Sequence, residues 1–504
     1  MKKITEIIGS LEIRNMWLGG RPIGIESLPD ISIEGISYDS RSVGKNFVFV
    51  CVAGFRIDGN KFIADALQKG ASVIVSQKKM DVADDVVFIE VDDSRAALSR
   101  LAACFYGYPD RQLRVIGVTG TAGKTTTTYM IKSILEHYGK KAGLIGTITY
   151  KVSDEALPSG RTTPESLDLE SMFADALAAG VEYIVMEVSS HSLSLHRVDC
   201  IEFDQAVFTN LGLDHLDFHN TTEDYLRVKS SLFTQLDLFK EKDGKTAVVN
   251  IDDVHSSRIL SSTSANKITY GLTKEADVYA NPRQLDIDGI SFEAFTPKGK
   301  MDVRLNIPGR FNIYNALAAI ACTMAEGVPL QVIKEGLEDV GSIPGRFERI
   351  KGRDFDVIVD FAHTPESLKN LLETARQLTK KKLIVVFGCG GDRDRSKRPI
   401  MGEIAAGLSD YCILTSDNPR TEDPFRIILD IEAGAQKLKH RDEYFVAVDR
   451  KEAIERACSE AASGDLVVIA GKGHETYQIL GEENIHFDDR EIVKEVLKLE
   501  KEEN

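Results

Sequence analysis

Short runs of consecutive apolar residues alternate with longer segments of helical spacing along most of this chain. Runs such as VIGV, YIVM, LIVVF and LVVI contain no charged position, which is typical of strands covered on both faces of a sheet. Between them, apolar residues recur every three or four positions, as in TPESLKNLLETARQL, which indicates helices with one buried face. Regular alternation of such strands and helices predicts an α/β protein with mostly parallel sheets.

The pattern divides the chain into three predicted domains, residues 1–112, 113–343 and 344–504, and its 504 residues fit about three domains. The first domain holds short β-rich runs and ends at YGYPDRQLR, a predicted linker. The second opens with the predicted strand RVIGVTG, and the third, which begins near SIPGRFERI, alternates strand and helix. Ligands bind beyond the carboxyl ends of parallel strands, so the polar loops after these strands are candidate sites.

Composition and charge narrow the possible functions. The net charge is −16, which argues against the basic footprint of a nucleic-acid-binding protein. The seven cysteines are scattered with no CxxC pair, which favours reduced thiols over disulfides or a zinc site. The N-terminus lacks the apolar segment of a signal peptide, and the run FVFVCVAG is too short to span a membrane. We therefore expect a cytoplasmic enzyme with no nucleic-acid partner and no membrane insertion.

A phosphate-binding loop is predicted in VIGVTGTAGKTTTTYMIKSIL, which reads as a strand, a glycine loop and a helix. Gly120 and Gly123 let the backbone approach a phosphate, Lys124 can reach the β- and γ-phosphates, and Thr125 can ligate magnesium. The general P-loop pattern places a glycine where this chain has Val118, so the match is to a shorter variant. A chance glycine turn is disfavoured, because a strand and a helix flank the loop as the mechanism requires.

Acidic and basic residues follow later predicted strands. Glu187 ends one strand and His215 follows another, so both can share a magnesium ion with Thr125. Histidine is an unusual magnesium ligand, and from the residues alone His215 fits a structural role at least as well. Taken alone, Lys229 is typical of a lysine on a helix surface.

Ten motifs in order along almost the whole chain resemble the Mur ligase family: GVTGTAGKTTT, RTTPES, MEVSSH, NLGLDHLDFH, GRFNIYNALAA, PGRFE, VDFAHTP, FGCGGDRDRSKRP, DNPR and GKGHE. The resemblance implies an N-terminal UDP-substrate domain, a central P-loop ATPase domain and a C-terminal Rossmann-like domain that binds an amino acid. It also implies a monomeric, ATP- and Mg²⁺-dependent ligase of peptidoglycan synthesis. The implied substrate is a UDP-N-acetylmuramoyl dipeptide, whose carboxylate becomes an acyl phosphate that an amine then attacks.

The resemblance implies roles that spacing could not show. Lys124, Glu187, His215 and Lys229 are implied to be catalytic, with Thr125, Glu187 and His215 around magnesium. Lys229 is implied to be carbamylated by CO₂, which would make it an anionic ligand for a second magnesium.

The resemblance also implies two sets of binding residues. For ATP they are Thr119, Gly120, Thr121, Ala122, Gly123, Lys124, Thr125, Thr126, Asn315, Arg346, Asp360 and His363. For the UDP-linked substrate they are Ser40, the 54–57 turn, Thr162, Thr163, Ser189 and Arg197. Many relatives carry Asn at the position of Arg161 and Gln at the position of Leu195, so neither residue is assigned a contact.

Three loops of the third domain follow predicted strands that share one edge of a parallel sheet, so they can converge on one ligand. Their candidate residues are Arg393, Asp417, Asn418, Pro419, Arg420, Gly471 and Glu475. Two guanidinium groups, two carboxylates and an amide suit an amino acid with several charged groups. Within the family, DNPR resembles the members that add meso-diaminopimelate, whose second carboxylate Arg420 would select.

Several alternatives stay open. The same ligase could add L-lysine, which lacks the second carboxylate. Another Mur ligase or a folylpolyglutamate synthase is disfavoured by DNPR together with GKGHE, and a GTPase by the missing NKxD motif. A non-catalytic nucleotide-binding module is disfavoured because Lys124, Thr125, Glu187, His215 and Lys229 are all present.

Overall fold

A computed structural model describes most of the chain, and its described residues form three large sheets and two small sheets of two strands each. Among the described residues, no helix combines the length and the apolar character needed to cross a membrane. The described residues are 2–54, 57–80, 82–153, 156–212, 218–219, 221–440 and 443–499.

The first sheet lies within the predicted N-terminal domain and has the strand order β3-β2-β8-β7-β6-β5, with β5 to β8 parallel. The elements of this domain are β1 (Lys2–Lys3), α1 (Ile4–Ile8), β2 (Ile13–Leu18), β3 (Arg21–Pro22), β4 (Ser32–Ile33), β5 (Gly35–Ser37), β6 (Phe47–Val50), α2 (Ile63–Gln68), β7 (Ala71–Ser76), β8 (Val87–Val91) and α3 (Ser94–Tyr106). Strands β1 and β4 form a separate antiparallel pair. Short 3₁₀ helices span Ile25–Ser27, Ser40–Ser42, Gly59–Phe62 and Pro109–Gln112.

The central sheet has eleven strands in the order β12-β11-β10-β13-β9-β14-β15-β16-β17-β18-β19, and neighbours from β10 to β17 are parallel. Its strands are β9 (Arg114–Thr119), β10 (Ala142–Ile145), β11 (Thr149–Lys151), β12 (Leu157–Pro158), β13 (Tyr183–Glu187), β14 (Gln205–Phe208), β15 (Thr246–Asn250), β16 (Asn266–Gly271), β17 (Val278–Asp286), β18 (Gly289–Thr296) and β19 (Gly299–Leu305). Its helices are α4 (Lys124–His137), α5 (Ser166–Ala178), α6 (Ser190–Ser194), α7 (Thr222–Gln235), α8 (Ser256–Ser261), α9 (Arg310–Ala325) and α10 (Leu330–Glu338).

The third sheet has the order β20-β21-β25-β22-β23-β24, and all neighbours from β21 to β24 are parallel. Its elements are β20 (Glu348–Lys351), β21 (Asp356–Asp360), α11 (Pro365–Leu378), β22 (Leu383–Phe387), α12 (Lys397–Leu408), β23 (Tyr411–Leu414), α13 (Pro424–Ala435), β24 (Tyr444–Val446), α14 (Arg450–Glu460), β25 (Leu466–Ala470), β26 (Tyr477–Leu480), β27 (Glu483–His486) and α15 (Asp489–Val496).

Strand β22 shows why these runs form the middle of a sheet. All five of its residues are buried. Leu383, Val385 and Phe387 join the core on one face, while Ile384 and Val386 join the core on the other. Burial on both faces leaves no position for a polar residue, which explains the continuous apolar runs.

The predicted α/β class with parallel sheets is confirmed. Each sheet lies inside one predicted domain, and the boundaries at residues 112 and 343 stay predictions. Two features were not predicted: the antiparallel extension β17 to β19 of the central sheet, and the hairpin β26–β27 beside the third sheet. In β18 and β19 the runs ISFEA and MDVRL bury every second residue, so this extension carried a signal in the sequence, whereas the hairpin β26–β27 is short and mostly exposed.

Candidate active site

A cavity of about 1110 Å³ lies between the central and third sheets, and both contribute to its wall. Predicted site residues on this wall are Thr121, Ala122, Gly123, Lys124, Thr125, Thr126, Thr162, Glu187, Asn315, Arg346, Asp360, His363, Arg393, Asp417, Asn418, Arg420, Gly471 and Glu475. Among the described candidates, those placed away from the wall are Ser40, Thr119, Gly120, Thr163, Ser189, Arg197, Lys229 and Pro419. His215 lies outside the described residues.

The phosphate loop joins β9 to α4, and two of its positions require glycine. Gly120 has φ 150° and Gly123 has φ 87°, values that other residues rarely adopt. A Cβ on Gly120 would lie 1.8 Å from Thr209 Oγ1, and one on Gly123 would lie 2.4 Å from Asn315 Oδ1. The loop is therefore packed so closely against β14 and α9 that only glycine fits.

Two lysines converge on this loop. Lys124 Nζ donates to the carbonyl oxygens of Gly120 (2.8 Å) and Thr121 (3.0 Å). Lys229 is 1% exposed, and its Nζ donates to the same Gly120 oxygen at 2.9 Å while lying 4.5 Å from the Tyr225 ring centre. Lys229 is thus buried against the loop, and the interpretation of it as a helix-surface lysine is wrong.

Glu187 ends β13 beneath the loop and is 1% exposed. Its Oε1 accepts hydrogen bonds from Thr125 Oγ1 (3.0 Å) and from the Thr147 amide (2.8 Å), and its Oε2 accepts one from Thr147 Oγ1 (3.0 Å). Thr147 was not predicted, although it follows the end of β10. Burial and Glu187 together raise the pKa of nearby Tyr129 to about 12.

The donor set fits magnesium. A threonine hydroxyl and a carboxylate supply the oxygen ligands that Mg²⁺ takes, and Mg²⁺ keeps several waters in most protein sites. The described residues contain no group of three or more His, Cys, Asp and Glu side chains suited to hold a metal. Thr125 and Glu187 are therefore suited to hold a magnesium ion whose other ligands would be waters and phosphate oxygens.

Arg346, in the loop before β20, extends from the third predicted domain to the phosphate loop. Arg346 Nη2 donates to Thr125 Oγ1 in α4 at 3.0 Å, and this hydrogen bond joins the second and third predicted domains. Its guanidinium group lies 4.8 Å from the Phe361 ring centre, a cation–π contact that orients it. The predicted ATP residues on separate sheets therefore meet at the start of α4.

Asp360 and His363 lie at the end of β21. The Asp360 carboxylate accepts the amides of Phe347 (2.7 Å) and Ala362 (2.8 Å), and burial raises its pKa although Arg346 opposes the shift. His363 Nδ1 lies 2.8 Å from the carbonyl oxygen of Phe361. Both side chains are thus oriented by backbone groups.

The predicted UDP-substrate residues of the central domain form a second cluster behind Glu187. Thr163 Oγ1 donates to the carbonyl of Glu187 at 2.9 Å and accepts the Ser189 amide at 3.1 Å. Arg197 donates to the carbonyl of Thr163 at 2.9 Å and pairs with Glu165 at 2.9 Å. Desolvation lowers the pKa of Arg197.

Glu165 gathers three guanidinium groups. Besides Arg197, it contacts Arg161 and, at 3.4 Å, Arg95 from α3 of the first domain. Three cations around Glu165 and the nearby Asp168 leave an excess of positive charge that suits a pyrophosphate. Glu165 lies in the RTTPES motif but received no role from the sequence, and Arg95 was not predicted because no local motif links it to a residue 70 positions away.

The first domain carries the remaining candidates. Ser40 begins a 3₁₀ helix, and its carbonyl accepts Lys69 Nζ at 2.9 Å. Tyr38, two residues earlier, donates to Asp168 at 2.7 Å and so links this domain to the central one. In the 54–57 turn, residues 55 and 56 lie outside the described residues.

Arg420 follows β23 and has an unusual backbone with φ 53°. Its Nη1 donates to the carbonyl of Gly391 at 2.7 Å, and its amide donates to the carbonyl of Ile479 in β26 at 3.1 Å. Burial lowers the pKa of Arg420, with neighbouring Arg393 as the next cause. Two guanidinium groups therefore share one small region, where the carboxylates of Asp417, Glu475 and Asp392 partly offset their charge.

The acidic half of this region is equally crowded. Asn418 Nδ2 donates to Glu475 Oε2 at 2.9 Å, and buried Lys472 donates to Asn418 Oδ1 (3.2 Å) and to Glu475 Oε2 (3.0 Å). Burial raises the pKa of Glu475, and Asp417 raises it further. A Cβ on Gly471 would lie 2.6 Å from Asp417 Oδ2, so glycine makes room for that carboxylate.

The cavity wall also contains polar residues that were not predicted from the sequence: Thr147, Asn210, Asp252, Arg310, Tyr314, Glu366, Lys397 and Tyr477. Thr147, Asn210 and Asp252 each lie within two residues of the end of a parallel strand. The same strand-end rule that selected Arg420 could have found these three.

Comparisons with known proteins identify the family. The Mur ligase middle domain matches residues 118–323, the Mur ligase glutamate ligase domain residues 345–473, and the Mur ligase family catalytic domain residues 32–106. The chain belongs to the Mur ligase family. This Mur ligase is 48% identical over 472 residues to the "UDP-N-acetylmuramoyl-L-alanyl-D-glutamate--2,6-diaminopimelate ligase" of Clostridium botulinum. The match covers 92% of this chain and 95% of that protein.

Two further relatives support the same placement of this Mur ligase. The ligase of the same name from Clostridium tetani is 49% identical over 474 residues, which cover 93% of this chain and 95% of that protein. A solved structure of a ligase of that name covers 95% of this chain and 97% of its own, with 32% identity and a TM-score of 0.65. The family prediction is confirmed, while the roles of individual site residues stay predictions.

Proposed function

We propose that the protein is an ATP-dependent ligase that joins meso-2,6-diaminopimelate to UDP-N-acetylmuramoyl-L-alanyl-D-glutamate in peptidoglycan synthesis. The observation that carries the proposal is one continuous cavity whose wall contains both a phosphate loop and the Arg420 region. Relatives that carry this ligase name match almost the whole chain. We expect the enzyme to act as a monomer in the cytoplasm, where its nucleotide-linked substrates are made.

The reaction requires two anions to meet. An oxygen of the D-glutamyl carboxylate attacks the γ-phosphorus of ATP, the bond to the β,γ-bridging oxygen breaks, and ADP leaves. The amine of the incoming amino acid then attacks the acyl phosphate carbon, loses a proton and expels phosphate. Lys124 and the backbone amides of the loop bind and orient the phosphates, which offsets the repulsion between the anions.

Magnesium, when bound, neutralises phosphate charge and favours in-line transfer. Thr125 and Glu187 would hold it, together with His215 by family resemblance. Arg346 donates to the Thr125 hydroxyl, so it also orients this side chain. Carbamylation of Lys229 is part of the proposal, and burial of its Nζ against Gly120 puts the modified group next to the phosphate loop.

The amino acid is proposed to bind where Arg393, Arg420 and Glu475 meet. A guanidinium group that pairs with a ligand carboxylate discriminates strongly between substrates, because a ligand without that carboxylate leaves the cation unpaired. Glu475 and Asp417 would receive an ammonium group. This arrangement favours diaminopimelate over L-lysine, since only the former carries a second carboxylate.

Phosphate release tests the proposal. The enzyme is incubated with ATP, Mg²⁺ and UDP-N-acetylmuramoyl-L-alanyl-D-glutamate, and each candidate amine is added in turn. We expect release that depends on meso-diaminopimelate. Release only with L-lysine would refute the amino-acid assignment, and no release with any amine would refute the ligase assignment.

A further inference from the structure

The two loops that carry Arg393 and Arg420 are joined directly along the cavity. The amide of Gly391 donates to the carbonyl of Asn418 at 2.9 Å, and Arg420 Nη1 donates back to the carbonyl of Gly391 at 2.7 Å. A Cβ on Gly391 would lie 1.9 Å from the Pro419 oxygen. The position of the Arg420 guanidinium therefore depends on the loop that carries Arg393.

Both loops hold a strained residue at this junction. Asp392 has φ 52° and Arg420 has φ 53°, conformations that cost a non-glycine residue about 1 kcal/mol each. Thr421 crosses between the loops, because its Oγ1 donates to Asp392 Oδ1 at 2.7 Å. Such strain persists only where surrounding contacts enforce it, so the junction must be held from outside.

A buried ion pair behind the junction supplies that restraint. Arg398, 1% exposed, donates from Nη1 and Nη2 to the two carboxylate oxygens of Glu422 at 3.1 and 2.9 Å. Arg398 Nη1 also donates to Asp430 Oδ2 of α13 at 2.9 Å. Arg398 Nη2 reaches the carbonyl of Gly390 at 3.4 Å, and Glu422 Oε1 accepts the amide of Asp392 at 2.6 Å. Because Arg398 follows one loop and Glu422 follows the other, the pair ties the two loop ends together.

Helices α12 and α13 fix the position of the Arg398–Glu422 pair. Arg398 lies in the first turn of α12 and Glu422 lies just before α13. The two helices cross at backbone contact, since a Cβ on Gly402 would lie 2.0 Å from the carbonyl oxygen of Ile431. Neither Arg398 nor Glu422 is part of the cavity wall defined by the described residues. Their effect on a ligand must therefore pass through the loops.

We propose that Arg398 and Glu422 are positioning residues that hold the 390–393 and 418–421 loops in register. By fixing the Arg420 guanidinium, they set the preference for an amino acid with a second carboxylate. This inference rests on the proposed function and names the determinant of its substrate choice. Without the Arg398–Glu422 ion pair the strained junction opens, so Arg420 samples other positions. The second carboxylate of the amino acid then loses its partner.

The test is Glu422→Gln, which keeps the shape of the side chain but removes its charge. We expect the KM for meso-diaminopimelate to rise about tenfold or more, with kcat and the KM for ATP within about twofold. The preference for diaminopimelate over L-lysine falls by the same factor. Amides of residues 388–396 exchange hydrogen faster in the variant, because the junction opens more often.

Arg395→Gln is the matched control. Arg395 pairs with the same Glu422 carboxylate at 3.0 Å, but its side chain is 70% exposed, so solvent screens this link between the loops and it contributes little. We expect its kinetics and hydrogen exchange to match the wild type. Thr421→Ala, which removes one exposed cross-loop bond, should change the same parameters as Glu422→Gln but less, and it serves if Glu422→Gln does not fold.

Two outcomes overturn the inference. One is an unchanged KM for diaminopimelate together with unchanged exchange in residues 388–396. The other is a parallel loss with all three substrates, which would indicate a general structural role. Failure of the proposed function looks different: the wild type releases no phosphate with diaminopimelate, while the exchange measurement still reports whether the pair holds the junction.

Discussion

At the scale of single residues, a few charged side chains that lie close together are proposed to bind the ligands. Arg420 is the first case: it is half-buried beside Arg393, and both burial and that neighbour lower its pKa although three nearby carboxylates oppose the shift. Lys229 is the second case, since its amine is buried against a loop that is expected to bind phosphate. Each leads to a prediction that one substitution or one mass measurement can test.

Arg420→Ala should chiefly damage the use of diaminopimelate. Loss of a buried charge-assisted pair costs about 3 kcal/mol, so kcat/KM for diaminopimelate should fall about 100-fold. The KM for ATP should stay within about twofold, because Arg420 lies on the amino-acid side of the cavity. Steady-state kinetics with each substrate varied in turn checks this, and a collapse of ATP binding with intact diaminopimelate affinity would contradict the role.

Lys229 should carry a carbamate in the active, magnesium-loaded enzyme. The modification adds the mass of one CO₂, loses one positive charge and gains an anionic ligand beside the phosphate loop. Native mass spectrometry, or a crystal structure grown with bicarbonate, should detect it. Lys229→Ala should be inactive, and an unmodified Lys229 in the fully active enzyme would contradict the prediction.

At the scale of elements, the carboxyl ends of β23 and β25 are held by a helix as well as by their own loops. Arg450 in α14 is fully buried, pairs with Asp489 of α15 through two 2.8 Å bonds, and donates to the carbonyls of Ser416 and Ala470. Those carbonyls lie at the ends of β23 and β25, which lead into the Asp417 and Gly471 loops. The ion pair therefore anchors two of the three loops that are proposed to bind the amino acid.

Asp489→Asn should destabilise the C-terminal domain strongly. Removing one partner of a buried pair leaves an uncompensated charge, which costs about 3–5 kcal/mol. Hydrogen exchange at the β23 and β25 amides should report this loss as a lower free energy of opening.

The control uses the same two helices. Lys451 and Glu495 also join α14 to α15, at 3.2 Å, but their side chains are 44% and 67% exposed. Exposed pairs contribute about 0–1 kcal/mol, so Glu495→Gln should change the opening free energy by less than about 0.5 kcal/mol. Equal losses in the two variants would mean that burial does not set the strength of the contact.

At the scale of the whole molecule, the proposed substrates touch three domains. The candidate UDP-substrate residues span the first and central domains, the phosphate loop belongs to the central one, and the amino-acid loops belong to the third. Arg346 links the last two by its bond to Thr125. A ligand that contacts several domains favours the arrangement in which all its contacts form at once.

Binding of a non-hydrolysable ATP analogue with Mg²⁺ should therefore make the enzyme more compact. Small-angle X-ray scattering should show a smaller radius of gyration with the analogue than without it. Arg346→Ala should weaken this change and raise the KM for ATP about tenfold, the effect of losing about one charged hydrogen bond.

Arg376→Ala is the control for this experiment. Arg376 pairs with Asp410 at 2.6 Å inside the third domain, on a partly exposed surface, so the compaction should be unchanged. An identical radius of gyration with and without the analogue would show that the domains are already closed before the nucleotide binds.

Features that depend on a local pattern can be predicted from the amino-acid sequence. Buried strands such as β22 and the loop at Gly120 to Thr125 are visible because a periodicity or a short motif reports the local backbone. Strand ends likewise pointed to Arg393, Arg420 and Glu475, since parallel strands present their loops at one edge. Family resemblance then added roles, such as that of Lys229, that no local pattern contains.

Contacts between residues that are distant in the chain depend on how the elements pack. Lys229 and Gly120 are 109 positions apart, and only packing of α7 against the loop could show that the lysine is buried. The Arg398–Glu422 pair depends on how closely α12 crosses α13, which a glycine contact sets. Periodicity states which face of an element is buried but not what lies across from it, so such contacts follow from the assembled fold alone.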